Sequence, residues 1–196
     1  MKMTFRWYGE DDPVTLEKIR QIPCMTGVVT AVYSVPVGEV WPREDILKLK
    51  EQANAKGLEM EVIESVPVHE DIKLKRGDYQ RYIDNYKENI RRLAEVGVKC
   101  ICYNFMPVFD WTRSRLDQPL ADGSNALVYY KEDVDKMDPT KMTLPGWDAS
   151  YSPEEMEGLI EEYKKIGTEG LWANLEYFIK EIIPVAAECD VNMAIH

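Results

Sequence analysis

Residues 27–33, GVVTAVY, decide the fold class. Four of the seven are β-branched and no polar residue alternates with them, so the run reads as a strand buried on both faces of a parallel sheet. Working outward, the period of the apolar pattern changes on both sides. Upstream, residues 3–8 (MTFRWY) form a short aromatic-rich strand. Asp12-Pro13 then reads as a helix start with Pro at the first helical position, followed by Leu16, Ile19 and Ile22 at helical spacing. Downstream, Pro42 opens a helix whose apolar side is Ile46, Leu47, Leu49 and Ala53, and Gly57 caps its end. Residues 58–64 (LEMEVIE) are a third strand. Asp78 is placed to cap a longer helix. On it Tyr82, Ile83, Tyr86, Ile90, Leu93 and Ala94 recur every three or four residues, and Gly97 ends it. Residues 99–105 (KCICYNF) are a fourth strand, and 191–196 (VNMAIH) a fifth.

Between the fourth and fifth strands the rhythm breaks. Residues 106–151 carry Pro107, Pro119, Pro139 and Pro145 with little periodicity, and read as a long insertion loop over the mouth of the fold. Ser152-Pro153-Glu154-Glu155 fits a capping box ahead of Met156, Leu159, Ile160 and Tyr163 on one helix face. A last helix covers about 171–189, with a kink expected at Pro184.

Strand and helix in strict alternation specify parallel strands joined by right-handed crossovers. No glycine-rich turn follows the first strand, so a dinucleotide-binding sheet has no support. The expectation is therefore an α/β fold, a (β/α)8 TIM-type barrel with only about the first five strands present. Residues 1–196 would be the N-terminal part of a single barrel domain. Five parallel strands do not close a barrel and would leave an open edge, which points to a truncated chain or a part of a longer one.

Composition narrows the function classes. Lys and Arg number 24 against 35 Asp and Glu, a net charge of −11, and no basic patch is visible. Nucleic acid and anionic membrane surfaces are poor partners for such a chain. No apolar run is long enough to span a bilayer, and the four cysteines show no disulfide framework, so a reducing, cytoplasmic setting is expected.

Catalytic groups of such barrels lie at the C-terminal ends of the strands, and alternation decides which side chains face the mouth. On the fifth strand Asn192, Ala194 and His196 share the smaller, more polar face, opposite Val191, Met193 and Ile195. His196 then ends its strand where a metal ligand belongs, or it is a strand-end histidine bonded to a carbonyl. On the fourth, Cys100, Cys102 and Asn104 share a face. Asn104 is a candidate for a substrate hydroxyl or a loop cap, and the cysteines read as small core thiols. On the third, Leu58, Met60, Val62 and Glu64 share a face, and Glu64 either contacts substrate or forms a structural ion pair. His69-Glu70-Asp71 reads as a charged loop in which His69 is a candidate polar contact. Arg113 and Trp111, in the insertion, suit a lid over a carboxylated sugar, although Trp111 and Trp147 equally suit loop anchors. Of Arg6, Trp7 and Tyr8, at least one faces the mouth, and alternation alone does not say which.

Several of these segments together resemble the mannonate dehydratase family: MTFRWYG at the start, TAVYSVPVGEVWP, VIESVPVHEDIK, CYNFMPVFDWTR, LPGWD, LWANLEYF and NMAIH. The likeness runs nearly end to end. It implies a (β/α)8 barrel similar to xylose isomerase and a hydro-lyase converting D-mannonate to 2-keto-3-deoxy-D-gluconate in hexuronate breakdown. It also implies a divalent ion, Mn2+ or alternatively Fe2+. His196, closing the AIH motif, matches the family's first metal-ligand histidine, and the other ligands fall later than this position. Arg6, Glu64, His69, Asn104 and Trp111 are the candidate substrate-binding residues, from strand-end position and motif match. One histidine does not hold a catalytic metal tightly, so the segment alone is expected to be inactive. A metal-dependent sugar isomerase or epimerase on the same barrel, and a non-catalytic fragment acting by assembly, are the competing readings. Assembly as a homo-oligomer is left open.

Overall fold

The structure, a computed structural model, describes residues 2–108, 113–137 and 152–196. The chain divides into two compact units, Met1–Phe105 with Thr168–His196, and Met106–Gly167.

The first unit is built on a parallel sheet. Numbering strands along the chain, β1 (Met3–Arg6), β2 (Met25–Thr30), β3 (Glu59–Glu64), β4 (Cys100–Tyr103) and β7 (Asn192–Ile195) pair in the order β1-β2-β3-β4-β7. Every neighbour in space is the next strand of this sheet in sequence. A doubly wound sheet reverses direction at a switch point, and these five strands contain no reversal. The order is that of an arc of a barrel wall.

Helices α1 (Leu16–Arg20), α2 (Arg43–Ala55), α3 (Glu70–Leu74) and α4 (Tyr79–Glu95) lie between the strands in sequence. The first starts later than Asp12-Pro13 predicts. Thr15 is its N-cap, accepting from the Lys18 amide at 3.4 Å. The Asp12 carboxylate instead accepts from the Tyr8 and Val14 amides, both at 2.8 Å, and ties down the loop after β1. Pro42 does precede α2, but of its expected apolar side Leu47 is exposed while Ile46 and Ala53 are buried. On α4 the apolar stripe also carries a buried Asn89, whose side chain accepts from the Trp41 amide and donates to the Glu39 carbonyl, satisfying the segment that leads into α2.

Three strand entries share one device. After α2, the Gly57 amide donates to Asn54 O and the Leu58 amide to Ala53 O; after α4, Gly97 donates to Ala94 O and Val98 to Leu93 O. These paired bonds close the last helical turn and need a left-handed residue at the first post-cap position, which glycine adopts without a Cβ clash. Asp190, at φ 54°, fills the same position after the last helix, with Val191 donating to Ala186 O. In each case the next residue, Leu58, Val98 or Val191, is buried and leads into the strand.

That last helix, α6 (Pro153–Glu188), is interrupted by non-helical backbone at Gly167 (φ 61°, ψ −172°). The break thus falls at Gly167, and Pro184 stays inside helix. The stretch after the break packs the core: Phe178 lies edge-on to Tyr86 at 5.1 Å and to Tyr103 at 5.8 Å between ring centroids. Val28, Ile63 and Ile101, on three successive strands, are fully buried in the same cluster with Ile83, Ile90 and Leu93 of α4. Each such side chain contributes about 1.5–3 kcal/mol of hydrophobic stabilisation.

The second unit contains regular structure where the sequence reads as irregular. Strands β5 (Arg115–Pro119) and β6 (Asn125–Val128) form an antiparallel hairpin, followed by a short helix α5 (Lys131–Val134). The hairpin turn carries Asp122-Gly123. The Asp122 carboxylate accepts from both the amide and hydroxyl of Ser124, and Gly123 takes φ 83°. At the start of α6 the capping box forms in both directions: Glu155 accepts from the Ser152 amide at 2.7 Å, and Ser152 Oγ from the Glu155 amide at 3.2 Å. Among the described residues, no helix is long and apolar enough to cross a membrane.

Candidate active site at the strand ends

Register places one row of side chains across the face of the sheet opposite the buried isoleucines. Arg6 pairs with Val29, Val29 with Val62, Val62 with Cys100 and Cys100 with Asn192. One pleat further along, Glu64 pairs with Cys102 and Cys102 with Ala194. None of these residues is fully buried, so this face is open. Between β2 and β3 the register slips, Val28 opposing Met60 but Val29 opposing Val62. Glu61 is the extra residue of a bulge, and Met60 turns to the helix side. Leu58 and Met60 therefore do not share the face of Val62 and Glu64, as simple alternation predicts. The bulge re-aims the end of β3 so that Glu64 joins the open row.

Three charged or chargeable side chains meet there. Glu64 Oε1 lies 2.8 Å from His196 Nδ1, and Glu64 Oε2 lies 4.0 Å from Arg6 Nη1. The Arg6 guanidinium carbon sits 4.9 Å from the centre of the Tyr8 ring, a cation–π distance, and Tyr8 approaches Tyr33 at 6.3 Å between centroids. Arg6 Nη1 is buried and has no hydrogen-bond partner among the described residues. A desolvated guanidinium nitrogen without an acceptor is costly, and an incoming carboxylate satisfies it. Trp7 is buried in the core, which settles the choice at the end of β1: Arg6 and Tyr8 face the site and Trp7 anchors it. Tyr33 is a neighbour that sequence reasoning passed over. Desolvation raises its phenol above the ordinary value, Arg6 pulling it down and Tyr8 and Glu64 pushing it up. Its signal was available, because Tyr33 is in phase with Val29 and ends the second apolar run.

The remaining candidates divide. Asn104 is buried just past the end of β4, in phase with Cys100 and Cys102. His69 does not stand in a solvated loop. It is the N-cap of α3, its Nδ1 accepting from the Asp71 amide at 3.1 Å, and its ring stacks on Tyr82 at 3.8 Å. A cavity of about 10 Å³ beside it, lined by Trp41, His69, Tyr82 and Asn89 among others, has room for about one water and none for a sugar acid. Glu70 and Lys73 of the same helix form a buried ion pair at 2.7 Å. Trp111 and Trp147 lie outside the described residues. Burial, then the neighbouring Cys100 and Glu64, push the Cys102 thiol up to about 11, so it stays protonated near neutrality, as a packing thiol does.

As a metal site, this corner is partial. Among the described residues no group of three or more His, Cys, Asp and Glu side chains converges. What is present is one imidazole whose Nδ1 is held by a carboxylate. That fits a single ligand with its supporting hydrogen bond, because a ligating histidine donates its other N–H to such a partner.

All 196 residues match the model of the family described as D-mannonate dehydratase (UxuA). The chain is 60% identical over 198 residues to a mannonate dehydratase of Streptococcus uberis, covering all of this chain and 57% of that protein. It is 58% identical over 199 residues to one of Streptococcus suis, covering 54% of it. The crystal structure of mannonate dehydratase from Streptococcus suis serotype 2 matches with a TM-score of 0.90 at 55% identity, over all of this chain and 53% of that one. The chain spans about half the length of the curated relatives it matches. With the family model matching all 196 residues of the chain, and the fold of part of a solved relative reproduced, the chain belongs to the mannonate dehydratase family.

Proposed function

We propose that the protein is a mannonate dehydratase, a carbon–oxygen lyase that converts D-mannonate to 2-keto-3-deoxy-D-gluconate in hexuronate catabolism in the cytoplasm. The observation that carries this reading at the site is the buried Arg6 Nη1, without a hydrogen-bond partner among the described residues, beside the Glu64–His196 pair. It offers an anion contact next to a candidate metal ligand. In the reaction C2 loses a proton, the C3 hydroxyl departs as water, and the resulting enol tautomerises to the 2-keto acid. Arg6 binds the substrate carboxylate, its plane held against Tyr8, so that C2 is presented toward His196. Asn104, at the end of the next strand but one from Tyr33, donates to or accepts from a chain hydroxyl. His196 would hold in part a divalent ion, Mn2+ or alternatively Fe2+, which would supply Lewis-acid stabilisation of negative charge beside the substrate carboxylate. The rest of its ligands come from outside the described residues.

The test is direct. Full-length protein incubated with D-mannonate and Mn2+ is expected to release the keto-deoxy acid, and chelation to abolish the release. Release of an isomerised sugar acid with no loss of water would overturn the dehydratase reading in favour of an isomerase or epimerase on the same barrel.

A further inference from the structure

We propose that Glu64 is a positioning residue for His196. It fixes the imidazole as the Nδ1–H tautomer and turns Nε2 toward the metal, and this role rests on the metal reading above. The geometry begins with the sheet. Glu64 and Ala194 flank Cys102 on one row, and His196 lies two residues beyond Ala194 on the same face. The Glu64 side chain therefore reaches across β4 to meet the imidazole, over a span of about 10 Å between the two outer strands. That path exists because the residues along it, Cys102 and Ala194, are small. The backbone of His196 is itself fixed, its amide donating to Tyr103 O at 2.9 Å.

The chemistry of the pair then sets the tautomer. A carboxylate only accepts, so at 2.8 Å from Glu64 Oε1 the proton of a neutral His196 ring resides on Nδ1, and the lone pair on Nε2. The other carboxylate oxygen lies 4.0 Å from Arg6 Nη1, an attraction of opposite charges that keeps Glu64 from turning away. Glu64 thus joins the anion-binding side of the site, Arg6 and Tyr8, to the metal-binding side. The bland alternative is that Glu64 contacts a substrate hydroxyl and meets His196 incidentally.

The experiment compares Glu64→Gln and Glu64→Ala in full-length protein. Nitrogen-15 and carbon-13 NMR of labelled histidine in metal-free protein, with the signal assigned by its loss in His196→Gln, reads the tautomer. Mn2+ binding is followed by electron paramagnetic resonance, and steady-state kinetics at saturating Mn2+ gives KM for D-mannonate. Wild type is expected to show Nδ1 protonated. Glu64→Gln, whose amide oxygen still accepts, is expected to keep that tautomer with a small loss of Mn2+ affinity. Glu64→Ala is expected to shift protons to Nε2 and weaken Mn2+ by about 10–100-fold, with little change in KM. An unchanged tautomer and Mn2+ affinity in Glu64→Ala, with KM raised, would overturn this role alone and make Glu64 a substrate contact. Wild-type protein that binds no Mn2+ would overturn the metal reading, and this role with it. Circular dichroism of the Gln variant confirms that the fold survives the loss of charge.

Discussion

At the scale of single residues, the site is an arrangement of few partners with unequal needs. Arg6 has a buried nitrogen that finds no acceptor among the described residues, and Glu64, 4.0 Å away, is already bonded to His196. Arg6→Ala is expected to lower kcat/KM for D-mannonate by about 10–100-fold, the equivalent of about 1.5–3 kcal/mol for a charge-assisted contact. Arg6→Lys should recover little, because an ammonium cannot reproduce the planar fork or its stacking on Tyr8. Steady-state kinetics of the two variants checks both. Cys102 makes the opposite kind of prediction. With its thiol pushed up to about 11, it should alkylate far more slowly at about pH 8 than the exposed Cys24, and accelerate only as the pH approaches that value. Peptide mass spectrometry after timed iodoacetamide treatment measures it. Asn104 and His196 were legible as candidates because alternation along their strands runs at a period of two, whereas Glu64 reaches the open row through a bulge that simple alternation does not foresee. Tyr33 was equally in phase but was passed over as part of an apolar run.

At the scale of elements, short-range chemistry decides where helices begin and end. His69 was read as part of a charged loop because three polar residues in a row carry no helical stripe, and a five-residue helix shows too little periodicity to register. Burial, outweighing the opposite pull of Asp71 and Glu70, holds the His69 pKa below its ordinary value of 6.5. The unfolded chain therefore takes up a proton near that pH which folded His69 resists. Its contribution to stability is present above the unfolded value and is lost as the pH falls through it toward the folded one. His69→Asn keeps an N-cap acceptor but does not titrate. Its melting temperature should fall less steeply than wild type between about pH 7 and about pH 5, as thermal melts across that range will show. The helix ends give a second test. Gly97 at φ 88° closes α4, and Gly97→Ala is expected to cost about 1–2 kcal/mol, whereas Asp190→Gly at the equivalent place is expected to cost nothing. Its exposed bond to Lys99 is worth little. Chemical denaturation of both variants makes the comparison.

At the scale of the whole molecule, the first unit is a sheet with one buried and one open face, and the two faces should answer substitution differently. Phe178→Ala removes the ring against which Tyr86, Tyr103 and Phe105 pack, and is expected to cost about 3–5 kcal/mol. Val62→Ala, on the open face, should cost much less. A shared denaturation assay ranks them, and a reversal of that order would mean that the two faces are assigned wrongly. The alternation of strands and helices and the parallel pairing follow from apolar periodicity, and the barrel reading from the missing glycine-rich turn after the first strand; the sequential order β1-β2-β3-β4-β7 is that of such a barrel. The β5–β6 hairpin could not be read from periodicity, since its strands are short and mostly exposed, although Asp122-Gly123 marked its turn.

The sequence by itself determined the five parallel strands, the longer helices between them and, away from the β3 bulge, the parity of their side chains. These are local properties, set by which residues recur every two or every three to four positions and by the caps between them. The family likeness was legible for the same reason, in contiguous stretches such as VIESVPVHEDIK and NMAIH. Only the tertiary structure decided which ends meet. The β2–β3 bulge that turns Glu64 into the open row, the reach of Glu64 across Cys102 to His196, and the burial of Arg6 Nη1 beside them depend on residues far apart in the chain. Register between strands and desolvation of a charged group are properties of packed neighbours, and no single stretch of sequence contains both members of such a contact.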